Sequence, residues 1–244
     1  MTIEYVGGKT HAFPGTTSTT NISLTDLTGG LASAPADGDL VVAVYGIGSQ
    51  PGFATDISIT PDYTEVAEVS AYLGKIYETD LCVAYKRMGA SPDTSVTVSG
   101  TGDALCAGAV AVHVWRGIDS VSPMDVTRTT ATGAGSGNPN PPAITPANAD
   151  AVILVCGSGG SQDGVVFNTP SDLSNFRRAW QADTIDVVVG IGSHVWTDGA
   201  FDPEAWTGNT AFDTESWAAI TLALRPAGAG GSGVRRRQQL VIGV

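Results

Sequence analysis

The feature that most constrains this chain is a phrase it carries twice. Residues 40–52 read LVVAVYGIGSQPG and residues 151–164 read AVILVCGSGGSQDG. Each is an apolar run rich in β-branched residues, then a glycine turn, then Ser-Gln, one variable residue and Gly. Val41, Val42 and Val44 align with Val152, Ile153 and Val155, and Gly46 and Gly48 with Gly157 and Gly159. Ser49, Gln50 and Gly52 then align with Ser161, Gln162 and Gly164 once Gly160 is taken as an insertion in the second turn. A short apolar run closed by glycines reads as a strand. Self-similarity at a spacing of about 110 residues reads as two related halves.

The rest of the chain supports an all-β reading. Helical periodicity is nearly absent, and short runs rich in Val, Ile, Thr, Tyr and Trp alternate with Gly, Pro, Asp and Ser clusters. The first half offers strands at 38–46, 63–72, 80–88, 94–100 and 108–117, and the second at 150–157, 173–182, 184–192, 193–199 and 217–226. In DLCVAYK, Leu81, Val83 and Tyr85 alternate with Cys82, Ala84 and Lys86, the pattern of a half-buried antiparallel strand. The pairing extends to 80–88 with 192–199, Arg116 with Arg225, Gly38-Asp39 with Ala149-Asp150, and MDVTRTT (124–130) with the opening TIEYVGG. About five short strands per half leave one sheet face uncovered, and two such sheets packed together cover both. The expected fold is therefore one jelly-roll-like β-sandwich over residues 1–226, with repeats of about 1–119 and 120–226. Two tandem small barrels are the alternative.

Composition narrows the function. The net charge is -12, which disfavours nucleic acid and anionic membrane surfaces as partners. Only 15% of residues are charged, so Thr, Ser, Asn and Gly must cover the surface. No signal peptide is visible at the N-terminus, and no apolar run approaches the roughly 20 residues of a membrane-spanning helix. Cys82, Cys106 and Cys156 share no metal-like spacing and read as small buried apolar residues.

Catalytic signatures are missing. Ser49 and Ser161 fail the G-x-S-x-G elbow, and the glycine runs fail both dinucleotide and phosphate-loop patterns. His113 and His194 lie in strands, His11 in a loop, and none has zinc-ligand spacing. No catalytic residue, metal or cofactor is expected. Two readings of Asp198, Asp202 and Glu204 in DGAFDPEAW compete: an acidic solvated loop, or a glycan contact completed by exposed Trp180 and Trp206. Asp183 and Asp186 read as turn residues, and Trp115 and Trp217 as core.

The C-terminus differs in kind. Residues 227–233 have flexible-linker composition, and VRRRQQLVIGV (234–244) follows. Arg235, Arg236 and Arg237 are opposite in sign to the body, and Leu240, Val241 and Ile242 suit burial or strand addition. The segment reads as a docking tail.

GDLVVA (38–43), WRGID (115–119) with Pro123, and LALRP (222–226) together resemble a group of duplicated β-sandwich proteins among the structural proteins of tailed bacteriophages and related particles. That resemblance implies a non-enzymatic virion component: a head decoration, spike or tail appendage. It would be made in the host cytoplasm, homo-oligomeric, and attached to other virion proteins, with host surface glycan as a further partner. The alternative is a carbohydrate-binding or glycan-depolymerising module.

Overall fold

The computed structural model describes residues 2–15, 19–49, 56–60, 62–101, 107–161, 167–181, 186–208 and 215–228. Arg235, Arg236, Arg237, Leu240, Val241 and Ile242 lie outside them, as do Gln50, Gly52, Cys106, Gln162, Gly164 and Asp183. Thirteen strands are present among the described residues. They are β1 (Glu4–Phe13), β2 (Thr19–Ser23), β3 (Leu40–Ser49), β4 (Asp56–Thr60), β5 (Thr64–Ala71), β6 (Glu78–Arg87) and β7 (Ser95–Thr101). After them come β8 (Gly108–Arg116), β9 (Thr129–Ala134), β10 (Val152–Ser161), β11 (Ser174–Gln181), β12 (Asp186–Val195) and β13 (Ser216–Leu224).

Three antiparallel sheets result, in the orders β1-β8-β3-β6-β5, β11-β12-β10-β13-β9 and β2-β7-β4. The two five-stranded sheets pack face to face, with β12 against β3 and β8 and β10 against β6, as in a β-sandwich. Leu40, Val42, Val44, Leu81 and Val83 of the first sheet meet Val152, Leu154, Cys156, Val189 and Ile220 of the second in one continuous core. The two five-stranded sheets thereby share one core. The chain does not wind back and forth between these two sheets. The first takes its strands from residues 4–116 and the second from 129–224, and alternation between sheets occurs instead within the first half, where β2, β4 and β7 leave for the small sheet.

That small sheet was not foreseen, and it corrects the reading of DLCVAYK. Cys82 and Ala84 are as buried as Leu81 and Val83, because they pack with Val41, Ala43 and Tyr45 against Ile22, Ile57, Val96 and Val98. Strands covered on both faces lose the apolar-polar alternation that a one-sided sheet would show. On the outer face of the second sheet, Ile153, Val155 and Val188 are covered by Ile144, Phe167, Leu173 and Trp206, which come from irregular segments rather than strands.

The two five-stranded sheets match strand for strand. With the second order read from its other end, β9-β13-β10-β12-β11 parallels β1-β8-β3-β6-β5. Strands β3 and β10, and likewise β6 and β12, have 10 residues each. Strands β5 and β11 have 8 each, and β8 and β13 have 9 each. Both edge strands carry an irregularity at the same step, Glu65/Ala67 in β5 and Ser174/Arg177 in β11.

Ladder register also corrects the alignment. Leu40 and Val152 open their strands at matching positions, so Val41 lies opposite Ile153 in the comparison rather than Val152. Gly160 is therefore no insertion, and residues 78–87 match 186–195 rather than 192–199. Arg116 still meets Arg225. A one-residue slip would exchange every inward and outward side chain, which is why register outranks sequence similarity here. Gly38 and Asp150 then coincide, and both have left-handed backbones, at φ 82° and 64°.

The glycines placed in turns lie inside β3 and β10. A Cβ on Gly46 would sit 2.5 Å from Val189 Cγ2 and 2.6 Å from Ser158 Oγ of the facing sheet. One on Gly160 would sit 2.5 Å from the Tyr77 carbonyl oxygen. These positions allow close approach of layers, not chain reversal. Similarly, 184–192 and 193–199 are not two strands: β12 runs unbroken through Gly192, whose missing Cβ makes room for Leu173 and Phe176. His11 lies in β1, not in a loop.

Replacing Gly46 by alanine should therefore cost about 1–3 kcal/mol by overpacking, lowering Tm by several degrees. Gly89, with nothing near its Cβ position, is the control, and Gly89→Ala should stay within about 0.5 kcal/mol of wild type. Equal melting curves for the two variants would refute the close-approach account.

Candidate functional site

The two flanks of the sandwich differ, and the difference locates the candidate site. On the flank where β1 faces β11, Arg177 reaches across to the other sheet. Its Nε donates to Tyr5 Oη at 3.2 Å, and its terminal nitrogens donate to Thr28 Oγ1 at 2.9 Å and to the Thr28 carbonyl. Tyr5 in turn packs on His113 and Trp115, with ring centroids 4.9 and 5.0 Å away. The segment after β2 lies along the outer edge of β1, where Thr28 N donates to Gly8 O at 3.0 Å and Ala32 N to Val6 O at 2.9 Å. This flank is closed.

The opposite flank, where β5 faces the approach to β9, holds a cleft of about 420 Å³. Its half-buried apolar lining comes from Val66, Met124 and Val126, and its exposed lip from Glu65, Thr127 and Arg128. Two departures from regular pairing open it. One is the irregularity of β5 at Glu65/Ala67. The other lies between the Met124–Leu224 bridge and the first β9 pair, Thr129–Thr221, where more residues are spent on one side than on the other.

Asp125 forms one wall, and its carboxylate is committed to structure. It accepts from Ala147 N at 2.6 Å, from Asn148 N at 3.1 Å and from Asn148 Nδ2, with Arg225 Nε 3.4 Å away. The lining holds no histidine, cysteine or serine. What the cleft offers chemically is apolar contact, a phenol at Tyr85, and charges of both signs at its mouth.

The residues singled out as a glycan contact are not brought together as a platform. Trp206 is 3% exposed, with its ring set edge-on to Phe167 and Phe176 at 5.0 and 5.2 Å. It belongs to the core cover of the second sheet, which corrects the expectation of an exposed ring. Polar neighbours in DPEAW misled the sequence reading, because the irregular segment turns them outward while its tryptophan turns in. Trp180 is half-buried against the same cluster. Asp198 and Asp202 are exposed, and Glu204 accepts from Ser171 Oγ at 3.0 and 2.9 Å. Among the described residues no group of three or more His, Cys, Asp or Glu side chains is placed to hold a metal.

Trp115 is core as expected, whereas Trp217 is only half-buried. Asp186 opens β12, rather than lying in a turn, and is nearly buried. Cys82 and Cys156 are buried free thiols. Burial raises both above the usual thiol range, Cys82 to about 12.

Sequence reasoning missed a second polar cluster at the end of the sandwich where β6 begins. Glu78 and Asp80 are buried there on the same side of β6. Glu78 Oε1 accepts from Gly74 N at 2.7 Å and Lys75 N at 3.2 Å, while Asp80 accepts from Tyr72 Oη. Burial raises the Asp80 carboxyl above its usual range, and the nearby Glu78 charge adds to the rise. Together the two acids fasten the β5–β6 loop. Their i, i+2 spacing in an apolar strand was the available signal.

No protein-family profile, curated protein or solved structure matches this chain.

His113 yields a pH prediction. Burial first, and the Arg177 charge second, push its pKa from 6.5 down to about 3. The unfolded chain therefore binds more protons than the folded one between those values, and stability falls as pH drops from about 6.5 towards 3. His113→Leu should flatten the decline of Tm between pH 7 and pH 4 relative to wild type. Parallel declines in the two proteins would rule out His113 as its source.

Proposed function

We propose that this chain is a non-enzymatic structural protein of a tailed bacteriophage or related particle. It serves as an outward-facing head decoration, spike or tail-appendage subunit, and residues 234–244 anchor it to other virion proteins. The observation that carries the reading is the matched pair of five-stranded sheets, equal in strand order, in the lengths of four strand pairs, and in the position of the edge-strand irregularity. Such a match supports an internal duplication, the property on which the resemblance to duplicated virion sandwiches rests. In the first half, the order β1-β8-β3-β6 set against β2-β7-β4 is jelly-roll-like.

The tail's composition supports attachment by charge and apolar burial. Three consecutive arginines precede an apolar run in a chain whose net charge is -12. Guanidinium groups pair bidentately with carboxylates, and an extended apolar segment adds to a sheet edge through main-chain hydrogen bonds. A low-charge surface rich in Thr and Gly suits a particle exterior. Assembly inside the host cytoplasm, with homo-oligomeric subunits, follows from the same reading.

Truncation after Gly228 tests the anchor. The backbone bond from Ala227 N to Gly117 O at 2.7 Å is retained. The shortened protein should melt cooperatively near the wild-type temperature, yet fail to co-sediment with assembled particles. Incorporation at the wild-type level would remove the tail from the anchoring role.

A further inference from the structure

We infer that the cleft between β5 and residues 124–128 is the receptor for this chain's own C-terminal segment, residues 234–244. The inference rests on the reading of that segment as a docking tail and names the surface that receives it. Strand β5 ends its sheet, so among the described residues its ladder partner is β6 alone. It presents an edge eight residues long. An extended peptide can add to such an edge through main-chain bonds, with alternate side chains entering the neighbouring cleft. The outer edge of β1, by contrast, is already taken by Thr28 and Ala32.

Charge selects the occupant. Glu65 and Glu68 lie on this edge with Asp62 just before it, 4.0 Å from Lys86 of β6, and residues 62–71 contain no Lys or Arg. All three side chains are exposed. Across the cleft mouth stands Arg128, so the acidic character belongs to the β5 side. Arg235, Arg236 and Arg237 complement that side, and Leu240 to Ile242 match Val66, Met124 and Val126 within. Glu65 and Glu68 pair with Ala84 and Cys82 of β6, so the acids of β5 lie on one face of the edge.

Reach permits the contact. The described chain leaves β13 past Arg225, whose backbone N donates to Pro123 O at 2.8 Å, next to cleft residue Met124. It then crosses to Gly117, just beyond β8. β8 lies three strands from β5, about 14 Å at the usual strand spacing. The spacer 229–233 spans about 17 Å when extended.

Hydrogen exchange on the full-length protein tests the inference. In wild type at low salt, the amides of β5 not bonded to β6 should be protected. They should exchange about tenfold faster or more in a full-length variant carrying Arg235→Glu, Arg236→Glu and Arg237→Glu, and in a second carrying Leu240→Asp and Ile242→Asp. Amides of β3 serve as the folding control and should not change. Protection lost on dilution marks a tail exchanged between copies and supports the cleft as the anchoring receptor. Protection that survives dilution marks a tail folded back on its own chain, which keeps the cleft as receptor but removes the tail from the anchoring role. Identical β5 exchange in wild type and both variants would overturn it. If those same variants also fail to join particles, the tail anchors elsewhere and the virion reading stands alone.

Discussion

Burial of β3 and β10 on both faces is the condition that the rest of the molecule meets. Each covered Val, Ile or Leu contributes roughly 1.5–3 kcal/mol relative to exposure, and these strands and their neighbours carry many. Their inner faces cover one another. Their outer faces need separate lids, and the two halves supply different ones. The first sheet receives β2, β7 and β4, while the second receives irregular chain carrying Ile144, Phe167, Leu173 and Trp206. An irregular lid must satisfy its own backbone groups. Ile144 and Phe201 do so by exchanging two bonds of 2.9 Å, and Trp206 N donates to Pro139 O at 2.8 Å.

The same economy governs the buried charges. In the first half Asp39, just before β3, accepts from Ala36 N at 2.8 Å and holds Arg116 through two contacts of 2.8 and 2.9 Å. The matching position in the second half is Ala151, yet the matching arginine, Arg225, still meets a buried carboxylate. Asp125 supplies it from the segment before β9 and also accepts the backbone of the turn before β10. A buried acid without its arginine would be costly, so the pair persists although its acid comes from a different segment of the chain. Because Asp125 is held in this way, the segment 124–128 stands off from β5 and the cleft between them is shaped by the structure itself.

At the opposite end, polar contacts rather than apolar ones register the sheets. Thr79 Oγ1 and Ser158 Oγ are 2.5 Å apart, and Ser216 Oγ donates to Ala71 O at 2.8 Å, each joining one sheet to the other. Close approach at Gly46 and Gly160 brings these groups within bonding range. Apolar packing alone tolerates sliding; directional bonds between buried groups do not. The β5–β6 loop, fastened by Glu78 and Asp80, closes over this end.

Strand content, the recurrence of two similar strand sets and the identity of the apolar residues were legible along the chain, because short apolar, β-branched runs set between polar and Pro-rich segments are local signals. The pairing of Arg116 with Arg225 was legible for the same reason. The small sheet, the inward turn of Trp206 and the in-strand role of Gly46 were not. A run that is apolar on both sides, such as LVVAVYGIG, says that it is covered but not by what. A glycine says that a Cβ is unwelcome but not whether a turn or a neighbouring layer forbids it. Sequence by itself thus determined that this is an all-β protein made of two comparable strand sets. Only the tertiary structure decided which sheet lies on which, where the register falls and which flank stays open, because those depend on contacts between residues about a hundred positions apart.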